Sequence, residues 1–310
     1  MHFWQGFNYE NNFLINILRS HNIDFELSNN IDELDYIIFG CFIYNFEDKE
    51  ILLEYPKHIK KILYISEALS VFYHVTWNLF SIKYFDYVTG SIENSFIENN
   101  IEDNIEDNII KQIHFKFPFF IMYFDYKNPN FYLDINNYVL NQNLSSLEKI
   151  CLINSHDYQN TRTPLYNKLI RKNIHIVCPG KLFNNASNEE LNSIGKQEYL
   201  KKFIFNICPE NTKTLPKGYI TEKLLDSCKS GCIPIYSGSF DEIDEKIFNK
   251  NRIIFYDYES KKSIKICSRK ILELLSDFDK LEIFYKQPPF MDTAYNILME
   301  LENNFCDIFR

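Results

Sequence analysis

The chain has 310 residues, 45% of them hydrophobic, and carries 33 Lys and Arg against 42 Asp and Glu for a net charge of −9. That length predicts two domains at roughly 100–200 residues each, and the acidic balance excludes a nucleic-acid protein, which grips phosphate backbones with a basic surface. No window approaches about 18 consecutive apolar residues and the start, Met1-His2-Phe3-Trp4-Gln5, lacks a leader pattern.

The first half reads as α/β. Phe13, Leu14, Ile17 and Leu18 recur at helical spacing over 11–20, and apolar runs predict strands at 35–40, 61–65 and 86–90. The stretch 115–123 reads as extended, interrupted by Pro118. Between these, Ile101-Glu102-Asp103-Asn104 repeats as Ile105-Glu106-Asp107-Asn108, an acidic low-complexity loop without the glycine and spacing of a calcium site. Polar, irregular 128–147 reads as a linker, so the expected division is 1–145, 146–290 and a C-terminal helix within 291–310 that packs back on the first half.

The second half alternates regularly. Strands are predicted at 150–153, 174–178, 203–207, 232–236 and 252–256, with helices at 164–172, 188–200, after Thr221, at 263–276 and at 292–305. Strands separated by helices of this length specify a parallel, doubly wound sheet, which binds ligands at its carboxyl edge. Asp277-Phe278-Asp279 reads as helix surface rather than a metal motif. The eight cysteines include no C-x-x-C pair and mostly sit in apolar runs, as small buried residues do in a reducing compartment.

The most informative segment runs from Phe203 to Ser239. Thr221 is a candidate N-cap, Leu224, Leu225 and Cys228 form an apolar stripe, and Glu222-Lys223 stand side by side at the helix start. A helix N-terminus carries partial positive charge, so a lysine there is unfavourable unless it faces an anion. The inference is a phosphate.

Glu210-Asn211-Thr212, then Gly218-Tyr219-Ile220-Thr221-Glu222-Lys223, then Pro234-Ile235-Tyr236 with Gly238 resemble the α1,3-fucosyltransferase signature, in which E-N-[ST], G-Y-[VI]-T-E-K and P-I-Y-x-G follow one another. Pro209 replaces the aromatic residue usual in that family, and the spacer 213–217 is longer. The resemblance implies a GT-B fold: two Rossmann-like doubly wound domains facing across a cleft, the first binding an acceptor and the second a GDP-sugar. It implies inverting transfer of L-fucose from GDP-fucose to a glycan hydroxyl, O3 of N-acetylglucosamine or glucose, with GDP as product. No metal or further cofactor is required where Arg and Lys supply the positive charge.

Residue roles follow from the same resemblance. Glu67, in Tyr64-Ile65-Ser66-Glu67, matches a Y-x-G-E context and becomes the general base, although Ser66 and Ala68 depart from the family's glycine and asparagine. Arg162, preceded by Asn154-Ser155 and followed by Tyr166 and Leu169, matches an arginine that grips the diphosphate together with Lys223. Gly180, Lys181, Asn184 and Asn185 echo a donor-pocket element. Glu222 is expected to bind ribose or fucose hydroxyls, Tyr219 to flank the nucleotide, Asn211 to bond phosphate or sugar, and Glu210 and Thr221 to complete the donor set. Without the resemblance, Glu67 reads as a cap or a solvated carboxylate and Arg162 as a surface arginine.

The implied partners are therefore GDP-fucose and a glycan, with no nucleic acid and no integral membrane segment, and the expected setting is cytoplasmic or otherwise soluble and intracellular. Oligomeric state has no signal in the sequence. Two other readings stay open: a transferase for another GDP-sugar, and a non-catalytic nucleotide- or glycan-binding relative. The aromatics Phe72, Tyr73, Trp77 and Tyr84 are the expected acceptor side.

Overall fold

The computed structural model describes residues 8–40, 55–66, 85–91, 113–211 and 217–310. They form two compact units, one drawn from Met1–Met122, Pro216–Tyr219 and Leu298–Arg310, the other from Tyr123–Leu215 and Ile220–Ile297.

In the first unit, helix α1 (Phe13–Ser20) starts where Asn12 Oδ1 accepts the Ile15 N–H at 3.1 Å, and it buries Leu14, Ile15, Ile17 and Leu18. Strands β1 (Tyr36–Gly40), β2 (Lys60–Ile65), β3 (Tyr87–Gly90) and β4 (Ile113–Lys116) pair in chain order, all parallel. Ile62, Leu63, Tyr64 and Ile65 are all fully buried, the continuous apolar run that a parallel strand covered on both faces requires. The extended segment expected over 115–123 stops early. Pro118 has no N–H to donate, its carbonyl accepts the Ile121 N–H at 3.3 Å, and Phe119–Tyr123 is a 3-10 turn.

The second unit begins with a helix where a linker was expected, α2 (Pro129–Leu140). Asn128 Oδ1 accepts the Asn130 N–H at 3.0 Å and Pro129 occupies the first turn, both favourable starts. Only Tyr132 and Val139 of this helix are buried while Leu133 and Leu140 face out, so its apolar residues form no one-sided stripe that the sequence would show. Strand β5 (Glu148–Cys151) and helix α3 (Thr163–Ile170) follow. The helix expected over 188–200 is two short ones, α4 (Glu189–Ile194) and α5 (Lys196–Leu200), broken at Gly195, whose φ of 82° leaves the helical region.

Then come β6 (Phe203–Ile207), α6 (Glu222–Lys229), β7 (Ile233–Tyr236) and β8 (Ile254–Phe255), with β5-β6-β7-β8 parallel and adjacent in that order. The strand expected over 252–256 shrinks to β8 because Arg252 sits in a 3-10 turn capped by Asn249. Helix α7 (Lys261–Ser276) starts at Ser260, and Asp277 caps α8 (Phe278–Tyr285) by accepting the Lys280 N–H at 3.1 Å.

The strand expected over 174–178 survives as a single bridge. Val177 pairs with Cys151, while Asn185 takes the Cys178 N–H and donates to Ile176 O, both at 2.8 Å, in place of ladder partners. Cys151 also pairs with Asn206 of β6. A strand residue has two edges, so Val177 and β6 lie on opposite sides of β5. The chain leaves β5 in one direction and returns to β6 in the other, which makes the carboxyl ends of β5 and β6 the topological switch point. Leu152, Leu165, Phe205, Ile235 and Ile271 form part of the core that holds the sheet to its helices.

Helix α9 (Ala294–Cys306) is the last α-helix and runs into a 3-10 turn at Asp307–Phe309. Within the first unit, fully buried Glu302 pairs with His21 at 2.5 Å, Phe305 stacks on Phe117 at 4.7 Å, and Tyr36 OH donates to Ile308 O at 2.9 Å. Among the described residues no helix is long and apolar enough to cross a membrane. The seven described cysteines are buried free thiols, and burial pushes Cys228 and Cys232 up to about 12, so they act as small apolar residues.

Candidate functional site

The loop after β5 is organised by one carboxylate. Asp157 accepts the backbone N–H groups of Thr161 at 2.9 Å, Arg162 at 3.1 Å and Thr163 at 2.8 Å, plus the Thr163 hydroxyl at 2.6 Å. Burial acts to raise its pKa, but these donors and the Arg162 charge outweigh it and hold the carboxyl below its ordinary range. The same residue orients Arg162, whose side chain is almost wholly buried. Its guanidinium donates to Asp157 Oδ1 at 3.4 Å, to Pro209 O at 3.2 Å and to Asn211 Oδ1 at 2.6 Å. Arg162 therefore ties the loop after β5 to the loop after β6. Its Nε is buried without a hydrogen-bond partner.

The loop after β6 is organised by Glu210, which is 0% exposed. Its Oε1 accepts the Thr221 N–H at 3.0 Å and the Tyr236 hydroxyl at 2.9 Å, and its Oε2 accepts the Thr221 hydroxyl at 2.7 Å with Lys223 Nζ at 3.6 Å. Thr221 Oγ1 in turn accepts the Lys223 N–H at 3.3 Å as the N-cap of α6. Burial, then the adjacent Glu210 carboxylate, push the Tyr236 hydroxyl well above its usual range, which keeps it a donor.

A cavity of about 680 Å3 opens at this switch point, lined by the loop after β5, the 179–184 turn, α4, the start of α5, and the start of α6. Of the residues expected at a donor site, Gly180, Lys181, Asn184, Asn211, Glu222 and Lys223 line it. Gly180 is needed there: a Cβ would stand 2.4 Å from Asn154 O. Lys223 Nζ lies 3.0 Å from both Glu222 Oε1 and Thr221 Oγ1. Burial raises the Glu222 pKa less than the neighbouring Lys223, aided by Lys196, lowers it, so Glu222 is held ionised.

Five expected contacts take a different form. Glu210 and Thr221 have their polar atoms engaged with each other and with Tyr236 and Lys223, so they shape the turn that presents Glu222 and Lys223 rather than line the cavity. Asn185 is spent on the 176–178 backbone. Arg162 reaches the cavity only through Asn211, and Tyr219 is buried outside the cavity lining. Glu67, with Phe72, Tyr73, Trp77 and Tyr84, lies outside the described residues.

Two residues escaped the sequence reading. Asp157 stands four residues ahead of Thr161 and five ahead of Arg162, the residue at the N-cap of α3, so only a loop folding back could bring its carboxylate to the helix start, and the sequence carries no local signal for that. Lys196, on the cavity wall and 2.9 Å from Asp226, had no local signal. Among the described residues no group of three or more His, Cys, Asp and Glu stands where it could hold a metal ion.

Two parallel α/β units, the second doubly wound with a cation-bearing cavity at its switch point, give the chain the GT-B fold. The family described as glycosyltransferase family 10 (fucosyltransferase), C-terminal part, matches residues 145–306, and the chain belongs to that family. It is 50% identical over 44 residues to the alpha-(1,3)-fucosyltransferase FucT of Helicobacter pylori, a match spanning 14% of this chain and 9% of that protein. Among solved structures, an α1,3-fucosyltransferase with GDP-fucose superposes with a TM-score of 0.58 at 20% identity, covering 97% of this chain and 86% of the other. An α1,3-fucosyltransferase with GDP gives 0.55 at 19% identity, covering 96% and 85%.

Proposed function

We propose that the chain is an inverting transferase that moves L-fucose from GDP-fucose to a hydroxyl of a glycan, O3 of N-acetylglucosamine or glucose, releasing GDP. The second unit holds the GDP-sugar through residues within 146–290, and the first unit, which residues of 291–310 complete, receives the acceptor through residues within 1–145. The observation that carries this reading is Lys223 in the first turn of α6, in a cavity at the sheet's switch point and inside the span that matches the fucosyltransferase family.

The chemistry divides among named residues. Inversion needs a base to take the acceptor proton and positive charge to stabilise the departing diphosphate while the sugar passes through an oxocarbenium-like state. Glu67, which follows Ser66 at the carboxyl end of β2, is the base in this reading. Lys223, the positive end of α6 and Arg162 acting with Asn211 stabilise the leaving GDP, so no metal is required of them. Ionised Glu222 accepts hydroxyls of the ribose or fucose. Free buried thiols fit an intracellular setting.

Calorimetry with GDP-fucose, GDP-mannose and UDP-sugars, followed by product analysis with N-acetylglucosamine and glucose acceptors, tests the proposal. The expected result is selective binding of GDP-fucose and an inverted fucosyl product. Turnover of GDP-mannose instead would make the chain a transferase for another GDP-sugar, and GDP binding without turnover of any acceptor would make it a non-catalytic binding protein.

A further inference from the structure

Charge around the cavity is unevenly shared. Among the described residues, Lys223 Nζ lies 3.0 Å from Glu222 and 3.6 Å from Glu210, two carboxylates against one ammonium. One turn further along α6 the ratio reverses. Asp226 serves two lysines, Lys196 at 2.9 Å and Lys229 at 3.7 Å. Lys229 is committed to the fold, buried and donating to Tyr123 O at 3.0 Å. Lys196, whose side chain is 36% exposed, lines the cavity.

A diphosphate placed against Lys223 alone would meet a corner already carrying an excess carboxylate, and the α6 N-terminus offsets only about half a charge. Lys181 adds positive charge from an exposed turn, where water screens it. Among the described residues, Lys196 is the less exposed of the two further ammonium groups on the cavity wall. Glu222 and Asp226 are four residues apart and so neighbours on one helix face, which places Lys196 along the edge of α6 that carries Glu222, whose carboxylate Lys223 Nζ also meets.

We propose that Lys196 is a phosphate-binding residue of this cavity, exchanging its Asp226 partner for the phosphates of a nucleoside diphosphate. The proposal rests on the reading that the cavity takes a diphosphate donor. Asp226 is then a competitor that keeps Lys196 directed at the cavity wall and weakens binding by the charge it withholds. Lys196 is close enough to Glu222 for its charge to add to that of Lys223 in lowering the Glu222 pKa.

The full chain, with Lys196→Met, Lys196→Arg and Asp226→Asn, is titrated calorimetrically with GDP and guanosine at low and high salt. The expected result is that Lys196→Met weakens GDP about tenfold or more while leaving guanosine unchanged, and flattens the salt dependence of GDP binding. Lys196→Arg retains most of the affinity. Asp226→Asn tightens GDP by about two- to fivefold, because it frees the ammonium. Opposite signs are decisive: a merely structural ion pair would make Lys196→Met and Asp226→Asn both weaken GDP and both lower the melting temperature, which overturns the proposal. Unchanged GDP affinity in Lys196→Met overturns it while the donor reading stands. A parent chain that binds no GDP brings down both.

Discussion

Asp157 and Arg162 close a six-residue loop on each other twice, the Arg162 backbone N–H reaching Asp157 Oδ2 at 3.1 Å and its Nη1 reaching Oδ1 at 3.4 Å, with both side chains buried. The carboxylate sets the start of α3 and aims the guanidinium at Asn211 in the next loop. Orientation at the switch point is thus established before any ligand arrives.

Asp157→Asn tests that arrangement. One amide oxygen cannot accept every bond now taken by two carboxylate oxygens, and its N–H2 faces donors, so stability falls by about 2–3 kcal/mol in urea unfolding. Because the folded pKa of Asp157 lies below the ordinary value of 3.8, its contribution is complete above that value and lost as pH falls through the folded one. The parent chain should lose stability below about pH 4 more steeply than Asp157→Asn does.

Arg162→Lys keeps the charge and loses the fork. A lysine ammonium cannot reproduce the planar donor set that meets Asp157, Pro209 O and Asn211 Oδ1 together. GDP affinity should fall about tenfold or more, with about 2–4 kcal/mol of stability lost, measured by calorimetry and urea unfolding.

Glu210→Gln separates shaping from binding. The amide leaves part of the Thr221 and Tyr236 donor set facing another donor in a fully buried place, at a cost of about 2–4 kcal/mol. A melting temperature equal to that of the parent would show that the carboxylate does not organise the α6 turn.

Gly180→Ala drives a Cβ to 2.4 Å from Asn154 O. The obstacle is backbone on both sides, so the 179–184 turn must move away from the loop after β5, costing about 1–3 kcal/mol. GDP binding should weaken severalfold in the same titrations.

Glu67→Gln addresses the proposed base. Loss of a general base lowers transfer by about 10²- to 10⁴-fold and leaves GDP affinity within about twofold of the parent. Unchanged GDP-fucose turnover would remove Glu67 from the mechanism.

Much of the second unit was legible because its signals are local. The Thr221 cap, the apolar stripe of α6 and the buried runs of β6 and β7 depend on residues within a turn or a strand of one another. Helix α2 was hidden because its apolar residues are spread around it, exposed Leu133 and Leu140 beside buried Tyr132 and Val139, so no one-sided stripe marks it as a helix.

From the sequence alone came the alternation of parallel strands and helices, the family signature, and the lysine at the start of α6, since periodicity and capping are properties of neighbouring residues. Tertiary structure alone decided that Val177 and β6 flank β5, that Glu210 is sealed beneath Tyr236 at 26 residues' separation, and that Lys196 shares Asp226 with Lys229. Those facts set which groups are desolvated and which charges remain unbalanced. Both depend on what packs against a side chain from distant parts of the chain.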